Sequence, residues 1–115
     1  MSDCIFCKVV AREIPAAEVK RSDTAVAFRD IKPEAPTHVL VIPTRHVPAV
    51  QNATDREGQA MLGALLAFAA EVASELGLDA GGYRIVTNTG PDAGQSVDHL
   101  HLHVLGGRRF RWPPG

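Results

Sequence analysis

The sequence has no excess of charge of either sign, no long apolar run and only two cysteines. Its 12 basic and 13 acidic residues give a formal net charge of -1, which gives no support to broad binding of nucleic acid or acidic membranes. No segment approaches the roughly 20 apolar residues of a membrane-spanning helix, and the polar start shows no secretory signal. We therefore expect a cytoplasmic protein with no nucleic-acid partner and no membrane association.

The sequence does have enough apolar content for one small domain. Of its 115 residues, 45% are hydrophobic, which is typical of an ordinary globular chain and not of a disordered one. We predict a single domain over residues 1–115, in which residues 107–115 form a basic, proline-ended C-terminal tail.

The spacing of apolar residues predicts an α+β fold. A short N-terminal helix should end before Pro15, and apolar residues at helical spacing predict one long helix from Asp55 to Leu76. The segment Thr54-Asp-Arg-Glu57 should start that helix as a capping box. Strands are expected at residues 19–20, 24–30, 38–42 and 83–89, and through the histidine-rich segment that follows. This order indicates an antiparallel sheet covered by one long helix.

Three of the five histidines fall within five positions, in the segment His99-Leu-His-Leu-His103. In a strand, His99, His101 and His103 would share one face at about 6.6 Å spacing, while the leucines between them face a core. Such a face could be a polar surface, a metal site or a catalytic site. The glycine-bearing loop 90–96 favours catalysis, because its amides can bind a phosphate and a neutral imidazole can attack phosphorus. The Ser96 hydroxyl is close enough in sequence to hydrogen-bond a leaving group.

Cys4 and Cys7 have the Cys-x-x-Cys spacing of a zinc site, which needs two further ligands. A disulfide is disfavoured because the cytosol is reducing and the loop is very short. A redox role is disfavoured because no βαβ context surrounds the pair. His46 and His99 are the remaining candidate ligands, and two buried thiols without a metal are the alternative.

The segment His99-Leu-His-Leu-His-Val-Leu105 matches the motif of the histidine triad (HIT) superfamily, and the chain resembles its Hint branch, the purine nucleoside phosphoramidases. Further similar segments lie at residues 4–8, 27–31, 35–38, 41–43, 94–96 and 106–107, and the ending Trp112-Pro-Pro-Gly115 is typical of Hint proteins. The resemblance implies a HIT-like sheet that continues across a homodimer.

The resemblance also implies a reaction, the hydrolysis of AMP-N-linked substrates or acyl-AMP. His101 would be the nucleophile that takes AMP as a covalent nucleotidyl-histidine. His103 and Asn88 would contact the α-phosphate, His38 would hold the reactive tautomer, and Ser96 would pass a proton to the departing amine. The alternatives are a dinucleotide polyphosphate hydrolase or nucleotidyl transferase of another HIT branch, or a nucleotide-binding scaffold with incidental turnover.

The nucleotide pocket follows from the same resemblance. Asp30 would bind the ribose hydroxyls, although a carboxylate there could simply cap the following turn. Trp112 would reach the partner's site and help to select the leaving group. The purine would contact Phe6, Val9, Phe28 and Ile31, which are otherwise ordinary core residues, and the phosphate would contact Gly94, Gln95 and Ser96.

A metal site is implied as well. Some bacterial HIT proteins bind structural zinc through two cysteines and two histidines, and the matching positions here are Cys4, Cys7, His46 and His99. That set would assign His99 to zinc and leave His101 and His103 for the reaction. No redox cofactor is expected.

Overall fold

The computed structural model describes residues 3–115 and has the predicted α+β architecture. The elements, in chain order, are α1 (Ile5–Val10), β1 (Glu18–Arg21), β2 (Ala25–Arg29), β3 (Thr37–Pro43), α2 (Arg56–Glu75), β4 (Tyr83–Val86) and β5 (Leu102–Gly106). Short 3-10 turns lie at Val50–Asn52 and Pro91–Ala93. The strands form one antiparallel sheet in the order β1-β2-β3-β5-β4. Neither α-helix in this part of the chain is long and apolar enough to cross a membrane.

The sheet separates two apolar layers, because strand side chains alternate between its faces. The layer under α2 contains alternate residues of β3 and β5 together with the helix residues Leu65, Phe68, Ala69 and Val72. The layer under α1 contains Phe6, Val9, Val26, Phe28, Leu40 and Ile42. Burial of each valine or leucine side chain contributes about 1.5–3 kcal/mol. The central strand β3 is covered on both faces, which explains its nearly continuous run of apolar residues.

Helix α2 begins one residue later than the predicted capping box. The side chain of Asp55, and not that of Thr54, accepts the backbone N–H of Gly58 at 2.8 Å. An aspartate carboxylate is an equally good N-cap and also interacts favourably with the positive end of the helix dipole. Gly58 is needed at this start because a Cβ there would lie 2.4 Å from the carbonyl carbon of Ala53.

The two strands near the histidines are shorter than predicted. Strand β4 ends at Val86, so Asn88 lies in a loop and not in mid-strand. Strand β5 begins at Leu102, so the two earlier histidines of the triad precede it. The reason is a change of hydrogen-bond partners: the Thr87 hydroxyl donates to the His101 carbonyl, and the Leu100 N–H donates to the Val47 carbonyl at 2.6 Å. The predicted alternation of faces is confirmed, since Leu100 lies in the α2 layer while the histidine rings lie against Phe6.

Candidate functional site

Cys4, Cys7, His46 and His99, here called the metal cluster, meet where α1 begins. The two cysteines occupy the N-cap and first turn of α1, His46 lies in the loop after β3, and His99 precedes β5. One donor atom from each residue lies within 4.8 Å of all the others. The predicted set of four metal ligands is therefore brought together.

The separations within the metal cluster match those around a tetrahedral zinc ion. Cys4 Sγ lies 3.3 Å and Cys7 Sγ 3.6 Å from His99 Nδ1. His46 Nδ1 lies 3.2 Å from Cys7 Sγ and 3.1 Å from His99 Nδ1. Usual zinc–sulfur and zinc–nitrogen bond lengths place tetrahedral sulfur and nitrogen ligands about 3.6 Å apart and two nitrogens about 3.4 Å apart. The donor set of two thiols and two imidazoles also suits zinc.

The tautomer of His99 follows from a backbone carbonyl. His99 is fully buried at 0% exposure, and its Nε2 lies 3.0 Å from the carbonyl oxygen of Pro43. Because a carbonyl only accepts, Nε2 carries the hydrogen and Nδ1 presents a lone pair to the metal cluster. Burial is the main cause that lowers the pKa of His99, so the ring is held in the neutral form that binds a metal. The residues present therefore fit zinc.

Asp30, His38, His101 and His103, here called the triad cluster, lie beside the metal cluster. His101 is buried, and its Nδ1 lies 2.7 Å from the carbonyl oxygen of His99. Nδ1 therefore carries the hydrogen, and Nε2 keeps the lone pair that a nucleophile needs. The ring packs edge-on against Phe6 and against His103, each with centroids 5.1 Å apart.

A chain of hydrogen bonds sets the protons of the other two imidazoles. The Glu34 N–H donates to His38 Nδ1 at 3.0 Å, so the hydrogen of a neutral His38 ring lies on Nε2. His38 Nε2 then donates to His103 Nδ1 at 2.9 Å, which leaves the His103 hydrogen on Nε2. Burial, followed by the neighbouring His101 and His38 rings, lowers the pKa of His103 to about 4. His103 is thus a neutral N–H donor at pH 7.

The triad cluster does not fit a metal, although Asp30, His38 and His103 also place donor atoms within 4.8 Å of one another. A metal at His38 Nε2 would force the ring hydrogen onto Nδ1, against the Glu34 N–H that already donates there. The Asp30 Oδ2 atom lies 3.4 Å from the same Nε2, whose hydrogen is donated to His103 Nδ1. We therefore interpret this cluster as a hydrogen-bond network that fixes the position of each ring hydrogen.

An apolar cleft of about 360 Å³ adjoins α1 and contains the five residues predicted for the nucleoside, Phe6, Val9, Phe28, Asp30 and Ile31. The rings of Phe6 and Phe28 meet edge-on at 5.6 Å. Ile31 is 93% exposed, so the reading of this residue as core is wrong. The turn-capping role of Asp30 is observed, because its Oδ1 accepts the Lys32 N–H at 2.8 Å. Its Oδ2 does not take part in that turn.

A second cleft, of about 280 Å³, brings Asn88 beside His38 and His103. The C-terminal tail closes one side of it through Pro114. The tail is held by Phe110, whose ring lies under the guanidinium carbons of Arg84 at 5.0 Å and Arg108 at 4.2 Å. Arg108 also donates two hydrogen bonds to the Glu34 carbonyl. Trp112 is 84% exposed and does not line this cleft.

The loop predicted to bind phosphate is held by the Gln95 side chain. Its Oε1 accepts the Gly90 N–H at 2.9 Å, and its Nε2 donates to the carbonyls of Pro48 and Val97. Gly94 has a φ of 80°, which a side chain would strain. Gly94 and Ser96 are exposed, and Ser96 lines a separate cleft with Cys4, His46 and Asp98. Ser96 therefore lines the cleft beside the metal cluster and neither of the two clefts beside the triad cluster.

Sequence reasoning missed the two backbone groups that fix the tautomers, the Pro43 carbonyl and the Glu34 N–H. Pro43 ends a predicted strand, but nothing in its side chain signals a free carbonyl. The pairing of Arg84 and Arg108 with Phe110 was also missed. The only signal for it was the basic, aromatic composition of the tail.

Comparison with known proteins identifies the family of the chain. The HIT domain model matches residues 11–110. An uncharacterized HIT-like protein of Synechocystis is 52% identical over 98% of this chain and 97% of its own length. A 14 kDa zinc-binding protein of Zea mays is 46% identical over 99% of this chain and 89% of its own. The crystal structure of a HIT family hydrolase from Legionella pneumophila has a TM-score of 0.94 at 43% identity and covers 98% of this chain and 100% of that one. The chain belongs to the HIT domain family.

Proposed function

We propose that the chain is a purine nucleoside phosphoramidase of the Hint type, which hydrolyses AMP-N-linked substrates to AMP and an amine. The observation that carries this proposal is the hydrogen bond from His101 Nδ1 to the His99 carbonyl. It leaves the lone pair on Nε2 of a buried imidazole, next to a neutral His103 N–H donor. Acyl-AMP would react with the same nucleophile.

The proposed reaction has two displacements at the α-phosphorus. First, His101 Nε2 forms a bond to phosphorus while the P–N bond to the amine breaks, and the amine leaves with an added proton. Water then attacks phosphorus, the bond to His101 breaks, and AMP and the free imidazole are released. His103 and Asn88 would donate hydrogen bonds to the phosphate oxygens in both steps, which stabilises the charge in the transition states.

The proton for the departing amine would be relayed by Ser96, whose hydroxyl gives its hydrogen to the nitrogen and takes another from a phosphate oxygen. An amide anion is far too basic to leave, so a positioned proton donor is required. The Ser96 N–H, in a loop held by Gln95, would bind the phosphate, whereas the Gly94 N–H donates to the Pro91 carbonyl and keeps the loop in shape. The purine would lie in the cleft that Phe6 and Phe28 line, with the ribose hydroxyls at Asp30.

We further propose that the metal cluster holds one structural zinc ion per chain. The thiols of Cys4 and Cys7 and the imidazoles of His46 and His99 would be its four ligands. The similarity to the 14 kDa zinc-binding protein of maize supports zinc binding. With all four positions filled by protein, zinc would cross-link α1 to two loops and supply no reactive water.

A homodimer is the proposed assembly. Strand β4 lies at the edge of the sheet, where a second copy could extend it. Leu66 is 52% exposed on α2, an apolar position that one chain leaves uncovered. In such a dimer, Trp112 would reach the partner's site and contact the leaving group.

The decisive experiment compares steady-state turnover of an AMP-amidate with that of a diadenosine polyphosphate. A Hint-type enzyme should favour the amidate strongly, whereas another HIT branch would favour the dinucleotide. A nucleotide-binding scaffold would turn over neither at a useful rate while still binding AMP. The matched variant is Val72→Ala, which weakens the α2 layer on the opposite face of the sheet and should leave the preference unchanged.

A further inference from the structure

The metal cluster and the triad cluster share one residue, His99. Its ring belongs to the metal cluster through Nδ1, while its backbone carbonyl accepts the Nδ1–H of His101 at 2.7 Å. The hydrogen bond that defines the His101 tautomer is therefore made by a metal-cluster residue. This contact does not depend on which substrate the site takes.

We propose that a zinc ion in the metal cluster fixes the tautomer of His101 and the shape of the nucleotide cleft, with His99 as the positioning residue for His101. The inference rests on the zinc site proposed above and extends it from a structural role to control of the nucleophile. Its physical basis is the number of restraints on one imidazole. With zinc on Nδ1 and the Pro43 carbonyl on Nε2, the His99 ring is held at both nitrogens. Without the ion, His99 Nδ1 keeps only contacts with the thiols of Cys4 at 3.3 Å and Cys7 at 3.6 Å and with His46, and a thiol is a much weaker partner than a bound metal.

A displacement of His99 can include its backbone as well as its ring, because the residue lies outside the regular strand. Strand β5 begins at Leu102, and no ladder hydrogen bond holds His99 or His101 in the described chain. The Leu100 N–H donates to Val47, which belongs to the loop that also carries His46. A shift of that loop would therefore change the direction of the His99 carbonyl and weaken its bond to His101.

Phe6 provides a second connection between the metal cluster and the nucleotide cleft. It lies between Cys4 and Cys7 in sequence, and its ring packs edge-on against His99 at 5.9 Å and His101 at 5.1 Å. It also forms a wall of the nucleotide cleft. Helix α1 has six residues, which is too short for a helix to be stable by itself. Ligation of Cys4 and Cys7 would fix this wall in place.

The test measures the tautomer of His101 and the affinity for AMP, neither of which requires turnover. The full chain, labelled with ¹⁵N, is compared in its zinc-loaded form and after removal of zinc by a chelator, and the His101 ring signals are assigned by their loss in His101→Gln. Zinc-loaded protein should show one tautomer with hydrogen on Nδ1. Zinc-free protein should show both tautomers in exchange and, because the Phe6 wall of the cleft is no longer fixed, bind AMP about tenfold more weakly. Added zinc should restore both readouts.

Two variants separate local control from general loss of stability. Cys4→Ser combined with Cys7→Ser should reproduce the zinc-free state without a chelator. Val72→Ala, in the α2 layer, should lower stability but leave the tautomer and the AMP affinity unchanged. Identical His101 signals and AMP affinity with and without zinc would overturn the inference, as would a failure to take up zinc. If zinc changes both readouts but AMP-amidates are not hydrolysed, the control stands and the proposed reaction fails.

Discussion

The metal cluster and the triad cluster both contain imidazoles, and the backbone group that contacts the imidazole differs between His99 and His38. In the metal cluster, His99 donates its Nε2–H to a carbonyl, so the opposite nitrogen keeps a lone pair for a cation. In the triad cluster, His38 accepts a backbone N–H, so its opposite nitrogen must carry a hydrogen. The comparison shows that a single donor or acceptor from the main chain decides which nitrogen of an imidazole carries the hydrogen and which keeps a lone pair.

The largest effect should come from the nucleophile of the triad cluster. His101→Ala should lower turnover of an AMP-amidate by about 10⁴-fold or more, since loss of a nucleophile removes the covalent route. AMP binding should change little, because this imidazole forms a bond to phosphorus and does not contact purine or ribose in the proposed complex. Single-turnover kinetics and AMP titration measure the two effects. Full activity in the variant would show that another histidine is the nucleophile.

The second prediction asks whether Ser96 takes part in the reaction at the triad cluster, although it lines a cleft with metal-cluster residues. If it delivers the proton, Ser96→Ala should slow amine-leaving substrates by about 10²–10⁴-fold. A nitrophenyl ester of AMP should react almost normally, since nitrophenolate needs no proton. The control is Ser74→Ala, which removes a hydroxyl on α2 that donates a hydrogen bond to Asp79 in the following loop. An equal loss of rate on both substrates would show that Ser96 only shapes the loop and does not deliver the proton.

The fold and both clusters could be predicted from the sequence, and their fine structure could not. Helical and alternating apolar spacing predicted α2 and the faces of the sheet, and Cys-x-x-Cys with two histidines predicted the metal cluster. The start of α2 was misplaced, because Thr54 and Asp55 are both good N-caps and the choice depends on the contact of Gly58 with Ala53.

The tautomers could not be predicted, because they depend on loop backbone groups. Any residue type offers a carbonyl, and nearly every type offers an N–H, so neither the Pro43 carbonyl nor the Glu34 N–H has a sequence signature. The end of β4 before Asn88 was missed for the same reason, since the Thr87 hydroxyl replaces a ladder bond there.

Removal of zinc should lower the free energy of unfolding, because an ion that binds the folded chain shifts the folding equilibrium towards it. Zinc that binds only the folded chain stabilises it by about 2.7 kcal/mol when its free concentration is 100 times Kd. Urea unfolding with and without zinc should show this difference, and metal analysis should find about one zinc per chain. In Cys4→Ser with Cys7→Ser the zinc dependence should vanish, whereas His103→Gln, in the triad cluster, should keep it. Equal dependence in the cysteine variant would place the metal elsewhere.

The smallest effect concerns pH and the triad cluster. Burial and the neighbouring imidazoles lower the pKa of His103 to about 4, against about 6.5 in an unfolded chain. Between these values the unfolded chain binds the proton and the folded chain does not, so the free energy of unfolding should fall as the pH drops from 6.5 towards 4. His103→Gln should have a shallower slope in this window, measured by urea unfolding in chelator. An NMR titration of His103 near 6.5 would contradict the assigned environment.

The central claim is that His101 reacts with the substrate while His99 belongs to the metal cluster. Locating the covalent intermediate tests this claim most directly. Zinc-loaded protein is mixed with an AMP-amidate, quenched rapidly without acid, digested and mapped by mass spectrometry. AMP should be found on His101 alone, because His99 is committed to the metal cluster and His103 Nδ1 is occupied by the hydrogen bond from His38. AMP on His99 or His103 would contradict the account.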